Sequence, residues 1–417
     1  MRYELPLTGL VLSGGGARAA YQVGALRAIA RIRREQLTPQ ARRRNPFGVI
    51  TGTSAGAING TALACYADDF DEGVERLVEA WSQMHAEQVY RCDALHLAGN
   101  GIRWLAQLSM GWALRRWRPR SLLDNTPLST LLRNLVPMHR LPLMLSRRYL
   151  HAVGVTASSY SNGHHVSFYQ SRAPITPWVR MQRMAAPAEL VHDHLLASSA
   201  IPFIFPATRL QHEGRGAWYG DGSMRQSAPL SPAIHLGAQQ LLIIGAGRMH
   251  EPTIGDIDDA RYPSLAQVAG HALSSIFLDA LAVDIERMER INRTLAMLTP
   301  EMREQHSLRP VNALVIAPSE RLDSIAARHI DALPKAVRLL LKSAGARQGH
   351  AGGAALASYL LFEPGYTQEL MDLGERDALQ QKDKLQAWLH PSELAQARDR
   401  RMASGLPGPE GINAAML

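Results

Sequence analysis

Cysteine is almost missing from this chain of 417 residues: Cys65 and Cys92 are the only two, both in or near stretches that read as helical. That excludes a disulfide framework and a C-x-x-C metal or redox site, and it fits a reducing compartment. Long apolar runs are missing too. Nothing approaches the ~18 uninterrupted apolar residues of a spanning helix. The opening Met1-Arg2-Tyr3-Glu4-Leu5-Pro6-Leu7 carries an acid and a proline where a secretory signal needs an unbroken apolar core. Internal repeats, low-complexity tracts, zinc-finger spacing, a basic zipper and the interleaved aromatics and glycines of RNA-binding modules are all absent. The expectation is an intracellular, soluble protein that holds no metal and no cofactor and leaves nucleic acid alone, with peripheral membrane contact open to it.

What is present is globular. The hydrophobic fraction is 46% and the charged fraction 20%, enough for a sizeable core. Lys and Arg number 45 against 37 Asp and Glu, a net charge of +8 that favours anionic partners. Without nucleic-acid motifs, a membrane surface is the better match. Apolar strand-like runs alternate with helical patterns, as in an α/β fold with a largely parallel sheet. Strands are expected at residues 10–13, 49–51, 149–155, 165–169, 217–219, 240–244 and 313–316, and helices at 21–29, 55–66 and 74–85. Residues 103–120 differ in composition. On a helix Trp104, Leu108 and Trp112 recur every four positions, with arginines crowding the C-terminal end, which reads as a cap helix buried in the core or as an interfacial lid.

Three segments carry chemistry. Gly52-Thr53-Ser54-Ala55-Gly56 follows an apolar run and opens a helical pattern, the form of a G-x-S-x-G nucleophile elbow. Ser54 is the candidate nucleophile, and Gly52 and Gly56 keep side chains away from it. Ser13-Gly14-Gly15-Gly16-Ala17-Arg18-Ala19 lies between a strand and a helix, where unshielded backbone N–H groups and the helix dipole can hold an anion or an oxyanion. Tyr219-Gly220-Asp221-Gly222-Ser223 presents a carboxylate between two glycines; by itself it also reads as an Asp-Gly hairpin.

In this order, the three motifs resemble those of the patatin-like phospholipase family: a G-G-G-x-R/K-G loop, a G-x-S-x-G elbow and a D-G-G/A turn. The run Ala197-Ser198-Ser199-Ala200-Ile201-Pro202-Phe203-Ile204-Phe205-Pro206 is similar to the family's A-S-x-A-x-P-x-x-F-P segment. The resemblance spans residues 7–319. It implies a three-layer α/β/α fold with a mostly parallel central sheet and a lipid acyl hydrolase working through a Ser–Asp dyad without histidine. Ser54 would be the nucleophile, Asp221 its partner, and Gly14, Gly15, Gly16 and Arg18 the oxyanion loop. It also implies a hydrolase domain over 1–320 with a Trp/Arg-rich helical insertion at about 95–145, then a helical extension and loose tail over 321–417. Two positions depart from the pattern. Ala19 stands where the family has glycine, and Ser223 where it has glycine or alanine.

Other readings compete. Histidine could supply the base, since His164-His165 and His192-Asp193-His194 are present. Arg18 could orient the glycine loop, neutralise a substrate phosphate, or simply lie on the surface. The cluster Asp68, Asp69, Asp71 and Glu72 reads as a helix start favoured by the dipole. The glycine loop also satisfies a dinucleotide fingerprint, although the acid such a fold wants after the second strand is missing and Glu35 is the nearest candidate. A non-catalytic membrane module, adhering through Trp104, Trp112 and Trp117, is the remaining alternative.

Overall fold

A computed structural model describes residues 7–93, 121–212, 214–248, 264–305, 308–343 and 351–389, together with Gly99 and Arg103. Its centre is a ten-stranded sheet. Five strands run parallel in the order β10 (Asn312–Ile316), β9 (Gln240–Ile244), β1 (Thr8–Leu12), β2 (Val49–Thr53) and β3 (Ala152–Ser159). The side chains of β1 explain the layering. Leu10 and Leu12 enter one apolar core and Val11 the other, so both faces must be covered by helices. The first core takes α1 (Ala20–Gln36), α3 (Ala55–Cys65) and α4 (Phe70–Ser82), with the short α2 (Pro39–Arg43) at its edge; the second takes the helix Ser231–His235. The expected α/β/α sandwich is the observed one.

Beyond β3 the sheet becomes mixed. β4 (His165–Ser171) pairs antiparallel with β3, and β5 (Val179–Arg180) and β6 (Arg183–Pro187) follow. A hairpin of β7 (Thr208–His212) and β8 (Arg215–Asp221) joins the opposite edge of β3. That edge is shared. β2 occupies it as far as Thr53 opposite Thr156, and β8 continues it with Asp221 opposite Ala157.

All seven expected strands are present, six of them with shifted ends and β9 at its expected bounds. β3 begins at Ala152 rather than residue 149 and runs on to Ser159. Its small, polar end Thr156-Ala157-Ser158-Ser159 resembles a turn in sequence, yet it is buried because strands flank it on both sides. β5, β6 and β7 went unpredicted; they are short or carry charged residues.

The helices after residue 320 share the core of β1 and α1, to which Leu322, Tyr366, Leu370 and Leu385 all contribute. The helix Pro364–Gln380 lies against α1 at a glycine contact: a Cβ on Gly24 would stand 1.9 Å from the Met371 carbonyl oxygen, and one on Gly374 would stand 2.1 Å from that of Tyr21. The Tyr21 hydroxyl donates to Asp377 at 2.9 Å beside this contact. A continuous helix, Ala266–Ala296, is among the described residues long and apolar enough to cross a membrane by length and composition. It is seated on the sandwich through Phe277 and Leu281, one in each core. Trp104, Leu108, Trp112 and Trp117, and the tail beyond residue 389, lie outside the described residues.

The glycine contact yields a prediction. Gly24→Ala forces a methyl group into a backbone carbonyl and is expected to destabilise the protein by about 1–3 kcal/mol or more. A thermal melt unchanged from wild type would contradict this packing.

Candidate active site

β2 ends by turning sharply into α3, and Ser54 sits at the turn with φ 55° and ψ −132°. Positive φ in a residue with a Cβ is strained, and it persists only where the surroundings enforce it. The flanking glycines allow the enforcement. A Cβ on Gly56 would fall 2.4 Å from the Ser13 carbonyl oxygen, and one on Gly52 would fall 2.3 Å from that of Gly56. Ser198 completes it: its hydroxyl accepts the Ser54 amide at 2.9 Å and donates to the Thr156 carbonyl at 2.6 Å.

Asp221 closes the site from the other side. It follows from the β3 edge that the residue after Thr53 and the last residue of β8 are neighbours, and the Ser54 hydroxyl lies close enough to stabilise the Asp221 carboxylate. The Asp221 amide is tied to the Ala200 carbonyl at 3.0 Å, so one run, residues 197–206, braces both halves of the pair. Asp221 is fully buried. Burial pushes its carboxyl up to about 6, against the opposing pull of Ser54 and of the Ser223 amide and hydroxyl. Oδ1 accepts the Ser223 amide at 2.9 Å, whereas Oδ2 has no hydrogen bond of standard geometry.

The glycine loop enters a 3₁₀ turn, Gly16–Ala19, and then α1, with Gly16 at φ 56°. Among the described residues nothing accepts the amide hydrogens of Gly14, Gly15 or Gly16. Gln22 pins the loop by donating to the Ser13 carbonyl at 2.8 Å, and Asn59 on α3 donates to the Ala19 carbonyl and to Gln22, both at 3.2 Å. Ala19 falls in the 3₁₀ turn, where a side chain is accommodated. Arg18 is buried. Its Nε donates to Ser358 Oγ at 2.8 Å and its guanidinium lies 4.0 Å over the Tyr359 ring.

A cavity opens at Ser54. Gly16 and Ser54 line it together with apolar walls that include Trp81, Met84, Ile201, Phe205 and Phe362, and its volume of about 520 Å³ counts space open to solvent. The helix Thr126–Leu135 supplies Leu128, Leu131, Leu132 and Leu135 to these walls. Sequence reasoning placed this stretch inside a helical insertion at about 95–145 without delimiting the helix, which Pro127 at its first turn and leucines at helical spacing announce. It also passed over Ser198, quoted only as part of a run.

The remaining candidates sit elsewhere. His165 is buried on β4 with its imidazole pushed down to about 4, and His194 packs edge-on against Phe168. His192 bonds the Val136 carbonyl at 2.9 Å. Among the described residues, no histidine hydrogen-bonds to Ser54 or Asp221. Asp69 caps α4, Asp71 pairs with Arg34 and Arg42, and Asp68 pairs with Arg140. Glu35 lies at the far end of α1, paired with Lys382 at 2.6 Å.

The sequence model described as patatin-like phospholipase matches residues 10–234, more than half of the chain. No curated protein sequence matches significantly. Among solved structures, VipD from Legionella pneumophila is similar at 12% identity and a TM-score of 0.32, over 91% of this chain and 67% of that one. Human GIVD cytosolic phospholipase A2, in complex with methyl gamma-linolenyl fluorophosphonate, is 12% identical with a TM-score of 0.38, over 93% of this chain. The chain spans 59% of the length of that human protein. ExoU from Pseudomonas aeruginosa is 13% identical with a TM-score of 0.23, over 85% of this chain and 70% of that one.

The buried carboxyl has a consequence for stability. Because its folded value lies above its unfolded one, the native state binds the extra proton between about pH 4 and 6, and its stability falls as pH rises through that window. Relative to Asp221→Asn, the wild type is expected to lose about 2 kcal/mol from pH 4 to 7. Denaturation of both proteins across this range tests it, and a difference that is flat or of opposite sign would refute the assignment.

Proposed function

Since the chain belongs to the patatin-like phospholipase family, we propose that it is a serine lipid acyl hydrolase, cleaving fatty acyl esters of phospholipids or lysophospholipids through Ser54 and Asp221. One observation carries this reading: a strained serine lines an apolar cavity and has a buried carboxylate beside it.

The chemistry follows from that arrangement. Asp221 accepts the Ser54 proton as Oγ attacks the ester carbonyl, and the negative charge moves to the carbonyl oxygen. The amides of the Gly14 to Gly16 loop, unclaimed by other acceptors, receive that oxyanion at the N-terminal end of α1. As the tetrahedral intermediate collapses, the proton passes from Asp221 to the departing alcohol, leaving an acyl-serine. Water then repeats the sequence and releases the fatty acid. An exposed aspartate, with an ordinary value of ~3.9, is a poor base for a hydroxyl. Burial makes Asp221 about two units more basic while leaving it ionised at neutral pH.

The cavity supports an acyl chain as the bound part of the substrate, because its walls carry few polar groups. The polar part of the lipid is then left at the mouth, in keeping with a protein of net charge +8 meeting an anionic surface. The dinucleotide reading loses its ribose ligand, since Glu35 is paired with Lys382 about 25 Å along α1 from the glycine loop.

Two tests follow. A fluorophosphonate probe is expected to label wild type on Ser54 and to leave Ser54→Ala unlabelled; kcat/KM for ester hydrolysis should fall about tenfold per pH unit below about pH 6, as Asp221 takes up its proton. Labelling elsewhere, or activity insensitive to Asp221→Asn, would defeat the mechanism. Leu131→Trp, which narrows the cavity, should cut kcat/KM for long-chain esters at least tenfold more than for butyrate esters. Equal losses would exclude the cavity as the acyl site.

A further inference from the structure

The turn Asp221-Gly222-Ser223 holds two buried polar atoms that the Ser54 and Ser223 hydroxyls engage only loosely. Ser223 is 4% exposed, and neither its Oγ nor Asp221 Oδ2 makes a hydrogen bond of standard geometry. Orphaned buried polar groups are uncommon because each loses water without a replacement. Here one orphan is a donor, the other an acceptor, and they belong to residues two apart in a tight turn. A Cβ on Gly14 would stand 2.5 Å from Ser223 Oγ, so the hydroxyl lies against the first glycine of the loop. It thus stands between that loop and Asp221, on which Ser54 also bears.

We propose that Ser223 is a positioning residue of this site: its hydroxyl swings onto Asp221 Oδ2, holding the carboxylate ionised and turned toward Ser54 when the Ser54 hydroxyl leaves to attack. This rests on reading Ser54 and Asp221 as the reacting pair. Ser223 then donates twice to one carboxylate, through its amide to Oδ1 at 2.9 Å and through its hydroxyl to Oδ2. A carboxylate that accepts several hydrogen bonds is a weaker base but stays charged at lower pH. The hydroxyl therefore opposes the burial that pushes Asp221 up.

Other groups around the turn leave the effect readable. Tyr160, packed on Gly220, has its phenol pushed above the ordinary value by burial and by Asp221, and it stays neutral. Arg18 is turned to Ser358 and Tyr359, and Arg225 of the turn donates to the Gly163 carbonyl. His165, pushed down to about 4, is neutral above that pH, and His194 faces Phe168. Asp279, on the neighbouring helix, is exposed.

The test is the pH profile of kcat/KM on p-nitrophenyl butyrate for the full chain as wild type, Ser223→Ala and Ser223→Gly, with Ser54→Ala beside them. Both Ser223 variants should move the acid limb upward by about one pH unit, the worth of a hydrogen bond to a charged group. The loss is then about tenfold at pH 5.5 and shrinks toward pH 8. Two small replacements guard against a single variant that fails to fold, and thermal melts report on each. An acid limb at the wild-type position in both variants overturns the proposal, even if activity drops equally at every pH. Hydrolysis by Ser54→Ala equal to wild type would instead remove the Ser54–Asp221 reading on which it stands.

Discussion

One strand edge organises this protein. β3 offers its edge to β2 up to Thr156 and to β8 from Ala157 onward, so the chain that leaves at Ser54 and the chain that arrives at Asp221 must meet. Parallel pairing of β2 with β3 sends the serine to the carboxyl end of the sheet, where α/β folds place their sites. The antiparallel hairpin of β7 and β8 brings a carboxylate to the same point from the opposite direction. Ser198 locks the junction by bonding the Ser54 amide and the Thr156 carbonyl together. The strain at Ser54 is held by these contacts and by the close approach of α3 to β1 at Gly56.

The same enclosure sets the chemistry. A buried carboxylate with few donors costs stability, and the cost appears as a raised affinity for a proton. That affinity is what a base for serine needs. On the proposed mechanism the turn after β8 balances the two demands, with enough donors to keep Asp221 ionised and enough burial to keep it basic. The loop that would face the oxyanion is held just as firmly. Arg18 is engaged with Ser358 and Tyr359, and Phe362 lines the cavity, so residues far beyond the matched 10–234 take part in shaping the site.

Much of this was legible in the sequence, for reasons that differ by element. β1 and β9 are apolar on both faces, and such runs have one plausible use. The elbow and the Asp-Gly turn were legible because only glycine permits their close approaches. Position in space was less so. Nothing in Arg18 reveals that its guanidinium turns to Ser358, 340 residues away in the chain. The leucines of the helix Thr126–Leu135 gain their meaning only once they face Ser54 across a cavity. The end of β3 was misread since small polar residues mark turns in isolation and strand ends when both edges are paired. Ser223, a departure from the family pattern in sequence, is in space a buried hydroxyl against the glycine loop.

The central claim is that Ser54 forms an acyl-enzyme from a lipid ester. Incubating the protein with mixed phospholipid vesicles and following free fatty acids and lysolipids by mass spectrometry tests it most directly. The account predicts release by wild type that disappears in Ser54→Ala and in Asp221→Asn. Fatty acid release undiminished in Ser54→Ala would contradict it.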